Sequence, residues 1–461
     1  MSSPTNDQIW FNYAQGILDW AGKNNSGNPP DSNTAYFIAT AVNKGPAAGS
    51  FVPDETMNES LVSICDPLIL DSSPIYNPGT DGSYFQAVEN YLLAVVLKKD
   101  TDPALAKKLA DAVKISAAAS KAYQSQLNVA VKGWKDDPLN GKPAGVPFST
   151  WVANNDSNLT AAQLEKAGSA QTVMQLQSQI NGPQAALLNQ QNSLCVAATQ
   201  TALTPGCNME CSLDQINPAE YRKYFKALQD GTIDKLKPLK AKNDFTKQAY
   251  SIDPTFKATM DDWAKVPVSD PPQLTWSINS SSMSQSSWSQ LGHEDGSAGI
   301  QFGFIRIGGG GSTDWKDSGI TNTSGSFEIQ LSAQRAGLFN VNPGSWNVEQ
   351  LKQTYPNTSG VSVIENAVQP TQLFCASRVT LKIKFTGSMA NTFDKLATDV
   401  KQGSGGLSIL GFTIGGSGGE SETDTTHTST LEQQDGWYVL EPTLIGGACS
   451  MLAVIGNKFS N

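Results

Sequence analysis

The chain has 461 residues, of which 39% are hydrophobic and 16% charged, with ten Trp, seventeen Phe and a formal net charge of −10. So many aromatics beside so little charge argue for a folded chain, and the length allows two or three domains with sizeable cores. The acidic balance excludes nucleic acid as an expected partner, since phosphate binding needs clustered Lys and Arg, and it disfavours adsorption to anionic membranes by net charge.

Met1 to Asp7 shows neither a basic n-region nor an apolar h-region. The expectation is a protein made in soluble form without a recognisable signal peptide, cytoplasmic or released by a non-classical route. The longest apolar run, Tyr91 to Leu97, is far short of the roughly 20 residues of a spanning helix. Six cysteines (Cys65, Cys195, Cys207, Cys211, Cys375, Cys449) are too sparse for a disulfide framework in a chain this long.

In chain order, Trp10, Tyr13, Ile17 and Trp20 recur at helical spacing and predict a first helix over Thr5 to Ala21, ended by turn formers at Asn24 to Pro30. Residues 31 to 80 are punctuated by Pro and Ser, with a short helix near Glu55 to Cys65. Ser83 followed by Gln86 is a capping-box pattern for a helix through Lys98. Asp102-Pro103 opens a longer one, on which Leu105, Leu109, Ala112, Ser116, Ala119, Tyr123, Leu127, Ala130 and Trp134 keep one face. Thr160 to Thr201 reads as a long helix or helical hairpin broken near Gly182-Pro183, with thin apolar and Gln-rich faces. Further helices are expected from Asn217-Pro218 to Leu228 and from Pro254 to Trp263.

Val266 to Pro272, with three prolines, marks a boundary beyond which the period changes from 3.6 to 2. Phe327, Ile329, Leu331 and Ala333 alternate with polar residues, as do Val379, Leu381, Ile383 and Phe385, predicting half-buried strands. Other strands are expected at Gln273 to Asn279, Ile300 to Ile307, Leu407 to Ile414, Gly436 to Leu440 and Met451 to Ile455. Helical inserts are expected at Trp346 to Thr354 and Met389 to Lys401. The fold class inferred is α+β: an N-terminal α-helical bundle (1–265) followed by a C-terminal antiparallel β-rich, sandwich-like domain (273–461).

Two segments of that β half resemble each other: Gly303-Phe304-Ile305-Arg306-Ile307 running into Gly308-Gly309-Gly310-Gly311, and Gly411-Phe412-Thr413-Ile414 running into Gly415-Gly416-Ser417-Gly418-Gly419. Repeated glycine implies backbone that turns sharply, packs closely or moves. The second tract fits G-x-S-x-G, with Asp424 and His427 following in hydrolase order. A nucleophile elbow needs a helix after the serine, however, and the β-branched, carboxylate-rich run from Glu420 has no helical period. Neither tract fits a phosphate loop. Imidazole chemistry would have to use His293 or His427, the two histidines of the chain. A metal site from these with Glu294, Asp295 or Asp424 is chemically permitted, but no spacing calls for it, and no metal or cofactor is expected. Cys207 and Cys211 read as a local disulfide or two unrelated thiols. Cys65, Cys375 and Cys449 read as buried small hydrophobes.

In layout, helices in front of a Gly/Ser/Thr-rich β half, the chain is similar to soluble pore-forming and insecticidal toxins. The similarity implies a non-enzymatic, membrane-active or surface-binding protein whose partner is a lipid membrane or a glycan, working as a homo-oligomer. The glycine tracts with Phe304 and Phe412 are then the membrane-contact or hinge residues. The segments 300–327 and 407–431 would be hairpins that rearrange, although transmembrane hairpins need strands of roughly 9–11 residues. Two alternatives stay open. One is a small-ligand binder or enzyme with an inter-domain pocket, and the other is a self-assembling structural protein.

Overall fold

A computed structural model of the chain describes residues 6–24, 35–46, 54–70, 82–96, 102–146, 148–182, 250–283, 325–344, 351–356, 367–401, 406–410, 412–415, 427–442 and 449–458, with shorter pieces at 49–50, 52, 74–76, 230, 232, 288–291, 304–307, 313–314, 347 and 358. The helix expected at 217–228 and the second half of that expected at 160–201 lie outside these residues.

The protein is α+β, with helices concentrated towards the N-terminus and antiparallel sheets towards the C-terminus. Helix α1 (Asn6–Asn24) carries the predicted aromatic stripe, and Trp10, Tyr13 and Ile17 are all buried. Helix α2 (Asp54–Cys65) is followed by α3 (Tyr84–Ala94), where the Gln86 N–H donates to Ser83 Oγ at 3.2 Å as the capping pattern requires. Helix α4 (Pro103–Asp136) begins as its sequence dictates, with the Ala104 N–H bonded to Asp102 Oδ1 at 2.9 Å and proline in the first turn. Helices α5 (Phe148–Asn155) and α6 (Ser157–Asn181) fold back along α4. Gln177 of α6, fully buried, donates to the carbonyls of Leu92 (2.8 Å) and Leu93 (2.6 Å), satisfying backbone acceptors at the end of α3. Helix α7 (Phe256–Lys265) precedes the proline-rich boundary.

The strands form two sheets. In the first, β1 (Ala35–Lys44), β15 (Ser450–Lys458), β9 (Ala367–Ser377), β8 (Arg335–Pro343) and β3 (Tyr250–Ile252) lie in that order, and β2 (Ile69–Leu70) also pairs with β9. The second runs β4 (Leu274–Asn279), β7 (Phe327–Ala333), β10 (Thr380–Phe385), β14 (Trp437–Pro442), β13 (His427–Gln434), β12 (Phe412–Gly415), β11 (Gly406–Ile409), β5 (Ile305–Ile307) and β6 (Thr313–Asp314). Short helix α8 (Leu351–Thr354) and α9 (Gly387–Lys401) supply the two predicted inserts.

Strands β1, β2 and β3 come from the segment read as purely helical, so the first sheet crosses the 1–265/273–461 division. The alternating strands behave as expected: Leu331, Ile329 and Phe327 of β7 lie opposite Leu381, Ile383 and Phe385 of β10. Strand β9 is different. Leu373 and Cys375 join the core under α2, α3 and α7, while Phe374 and Ala376 join the core that contains α1 and residues of both sheets. Both faces of β9 are buried, which produces a continuous apolar run instead of alternation.

The sheets are continuous through two one- or two-residue steps. Chain passes from β7 to β8 at Gln334 and returns from β9 to β10 at Arg378-Val379. Strands that switch sheets through bends form the corners of packed sheets. The Arg378 guanidinium donates to Gln334 Oε1 and to the carbonyls of Val266 (2.8 Å) and Ala264 (3.4 Å), and Gln334 Nε2 donates to the Pro267 carbonyl. Arg335 meets Asp270 at 3.2 Å. The corner thus also holds the start of the boundary segment. Arg378 adopts φ 48, a left-handed conformation that costs a side-chain-bearing residue about 1–2 kcal/mol.

Two outcomes follow for stability. Arg378→Ala removes the charged donor while leaving the strained backbone, and lowers unfolding free energy by about 1.5–3 kcal/mol. Arg378→Gly is the milder of the two because glycine relieves the φ strain, and urea denaturation of both variants checks the order. At the α4–α5 corner, the Asn140 N–H and Trp151 Nε1 donate to the Asp137 carboxylate, at 2.9 and 3.1 Å, and hold it below its ordinary range. A carboxyl depressed in the folded state contributes stability above its unfolded pKa and loses it as pH falls through the folded value. Trp151 fluorescence should therefore report local loosening on acidification below about pH 4, absent in Asp137→Asn.

Candidate functional site

The two glycine-ended segments meet in the second sheet. Strand β11 lies between β5 and β12 and is antiparallel to both, with Leu407 opposite Ile307 and Ile414, and Ile409 opposite Ile305 and Phe412. Strands β5 and β12 therefore point the same way, and both tracts leave from one end of the sheet. Strand β11 enters from that end, immediately after Gly403-Ser404-Gly405 and starting on Gly406, which pairs with Gly415. Eleven of the forty glycines belong to these three segments, each of which adjoins that strand end in sequence. The third segment was missed from sequence because its glycines precede a strand.

Of the expected site residues, Gly415 closes β12, while Gly308, Gly309, Gly310, Gly311, Gly416, Gly418 and Gly419 lie outside the described residues. The tract at 308–311 falls in the connection between the paired strands β5 and β6, with Ile307 opposite Thr313. The second does not sit at a hairpin tip: β12 pairs with β13 in parallel, Phe412 opposite His427 and Thr413 opposite Thr428. Parallel neighbours need a crossover connection, so the expected single hairpin over 407–431 is corrected. The expected strand Leu407 to Ile414 is divided by a turn at Leu410, whose φ of 49 places a buried leucine in the left-handed region. Ser417 and the residues after it, where the helix of a nucleophile elbow would have to begin, lie outside the described residues.

Phe304 is 1% exposed and belongs to the core, so it offers no membrane-contact surface in this conformation. Its ring packs edge-on against Trp10 (5.0 Å between centroids) and Tyr13 (6.1 Å), and its N–H donates to Asn6 Oδ1 at 2.8 Å. The same helix face binds Trp288, whose Nε1 donates to Asp7 at 2.9 Å, and Trp276, whose Nε1 donates to the Asn12 carbonyl at 3.2 Å. Leu410 is tied to this point by its N–H, which donates to the Phe304 carbonyl at 2.8 Å. Burial pushes the Tyr13 hydroxyl far above its ordinary pKa, which leaves it neutral.

The structure brings His427 level with Phe412 and leaves His293 outside the described residues. Among the described residues, no group of three or more His, Cys, Asp and Glu side chains is placed to hold a metal. Cys65, Cys375 and Cys449 are buried free thiols, as their apolar contexts predict. The neighbouring Cys449 and desolvation raise the Cys375 thiol, which keeps it protonated and inert. Cys195, Cys207 and Cys211 are outside the described residues. No described helix is long and apolar enough to cross a membrane.

Comparison of the chain with protein-family models, curated proteins and solved structures gives no match.

Trp10→Ala empties the centre of the contact between α1 and Phe304, the residue before β5. Its expected cost is about 3–5 kcal/mol in urea denaturation, together with faster proteolytic cleavage within Gly308–Gly311. Unchanged cleavage would mean that α1 does not restrain the strand leading into that tract.

Proposed function

We propose that this is a non-enzymatic, membrane-active or surface-binding protein in which the block β12-β11-β5-β6 is the part that moves. The observation that carries this reading is the seam between that block and the rest of the second sheet. Strands β12 and β13 share two paired residues in parallel, whereas β13 and β14 share six in antiparallel. The strands of the block are two to four residues long, and β5 and β12 end, and β11 begins, at the one end where glycine-rich segments adjoin them in sequence.

Separation along the seam would uncover the edge of β13 and the edge of β12, each a row of unpaired backbone donors and acceptors. Such edges pair with further strands, which gives a route to a homo-oligomer. As they stand, β5, β11 and β12 are too short to span a bilayer, which takes roughly 9–11 residues per strand. Contact with lipid or glycan would thus follow rearrangement. The same exposed edges support self-assembly as a second reading, without a membrane.

The cross-pair Thr413 and Thr428 allows a direct test. Thr413→Cys/Thr428→Cys, oxidised, should form a disulfide across the seam and abolish dye release from liposomes, and reductant should restore it. Equal release in both redox states would remove the seam from the mechanism. Absence of release by the unmodified chain from every lipid mixture, at neutral and acidic pH, would sink the membrane reading. Assembly without lipid that the disulfide blocks would favour the second.

A further inference from the structure

We propose that α4 carries a docking stripe for anionic phospholipid surfaces; this deepens the membrane reading and rests on it. Helix α4 contains six lysines against two aspartates, a net of +4 within a chain of −10. Lys107, Lys114, Lys121 and Lys132 are all exposed and recur at spacings of seven, seven and eleven residues. At 100° per residue, those spacings hold them within about 40° of one line, and the stripe extends for about 37 Å along the helix. None of the four pairs with a carboxylate among the described residues.

The opposite face of α4 is committed to packing. Leu109, Ala112, Val113 and Ser116 are buried towards α3 and α6, and Ala130, Val131 and Trp134 towards α5 and the start of α6. The stripe is therefore the outward face of a fixed helix. On its flank stand Val129 and Ile115, 59% and 61% exposed, about 60° and about 100° round the helix from the line. Large side chains left in water next to a line of cations match the pattern of helices that lie in a membrane interface.

Charge type narrows the partner. Every cation on α4 is lysine, a hydrated point charge on a flexible stem, and none is arginine, whose rigid fork serves specific bidentate recognition. A long, straight ridge of point charges is fitted to a diffuse negative potential rather than to one bound anion. Because the rest of the chain is acidic, an anionic membrane would repel other approaches and turn this face towards itself. The net charge that disfavours adsorption of the whole chain thus becomes an orienting force.

The test uses the full chain with vesicles of phosphatidylcholine alone and of phosphatidylcholine with phosphatidylserine. The wild type should sediment with the second kind at low salt and lose most of that binding at high salt. Lys107→Gln/Lys114→Gln/Lys121→Gln/Lys132→Gln keeps helix propensity, and circular dichroism confirms that it folds. Each lysine is expected to contribute about a fivefold factor, so the quadruple variant should bind several hundredfold more weakly. Ile115→Gln/Val129→Gln should reduce the fraction that survives salt. Equal binding of wild type and quadruple variant, or equal binding to both vesicle types, overturns the stripe. If the quadruple variant still releases dye, the stripe falls and the seam mechanism stands. If wild type binds no vesicle and releases no dye, both fall. Salt-sensitive self-association lost in the quadruple variant without vesicles would overturn the proposal and assign the stripe to a second copy of the chain.

Discussion

The corner at Gln334 and Arg378 is the constraint on which the rest of the molecule depends. Two strand pairs change sheets there, and one guanidinium satisfies acceptors from a sheet residue and from the segment that follows α7. Burial and the neighbouring Arg335 lower the Arg378 pKa, but an arginine has enough reserve to stay charged. The left-handed backbone at Arg378 is tolerated because the hydrogen bonds it permits outweigh about 1–2 kcal/mol of strain. With the corner fixed, both sheets can contribute to one core, and α1 can reach β1 and β15 of the first sheet and β4 of the second.

That geometry explains why the chain does not divide where its periodicity changes. Strand β15, almost the last segment, pairs with β1 near the start, and β9 takes β2 as an extra neighbour. Helix α1 would be an isolated amphipathic helix without the sheets, and its buried face, with Trp10, Phe11 and Tyr13, is part of the core they share. The arm of α4, α5 and α6 relates differently to the body. It carries its own small clusters and is joined chiefly through α3, where Gln177 spans the gap between helices. A buried amide in that position fixes the register of arm on body, because sliding α6 would strand the carbonyls of Leu92 and Leu93.

Legibility followed the kind of information each element carries. Caps and periodicity are local, so Ser83, Asp102-Pro103 and the alternation in β7 and β10 could be read directly. Strands β1 and β9 could not. The run Leu373-Phe374-Cys375-Ala376 supplies two cores in turn and has no polar face to betray a period of two, and β1 depends on a partner some four hundred residues away. The likeness of the two glycine-ended segments was legible as a repeat. Their shared sheet end, the third segment before β11 and the parallel junction to β13 are properties of strand order, which sequence spacing does not carry. Phe304 illustrates the same limit, since an aromatic at the start of a glycine-ended strand reads alike whether it faces solvent or Trp10.

Magnitudes decide what holds the short-stranded block in place. Two residue pairs at the parallel seam are worth about 1–2 kcal/mol net, on the usual scale of about 1 kcal/mol for a hydrogen bond exchanged with water. Burying Phe304, Ile409 and Leu410 is worth about 1.5–3 kcal/mol each. Apolar contacts therefore dominate the attachment, and for Phe304 the surface that supplies them is α1. Helix α9 adds to it, packing on β11 and β12 as well as on β10. Trp10, Tyr13 and Asn6 of the N-terminal helix hold Phe304, the residue before β5, at a point separate from the seam. Without the contact of α1 with Phe304, the block of short strands is retained by the burial of Ile409 and Leu410, by α9 and by a two-residue junction. On the proposed reading, the N-terminal helix at Trp10, Tyr13 and Asn6 would therefore set the threshold for movement of the block.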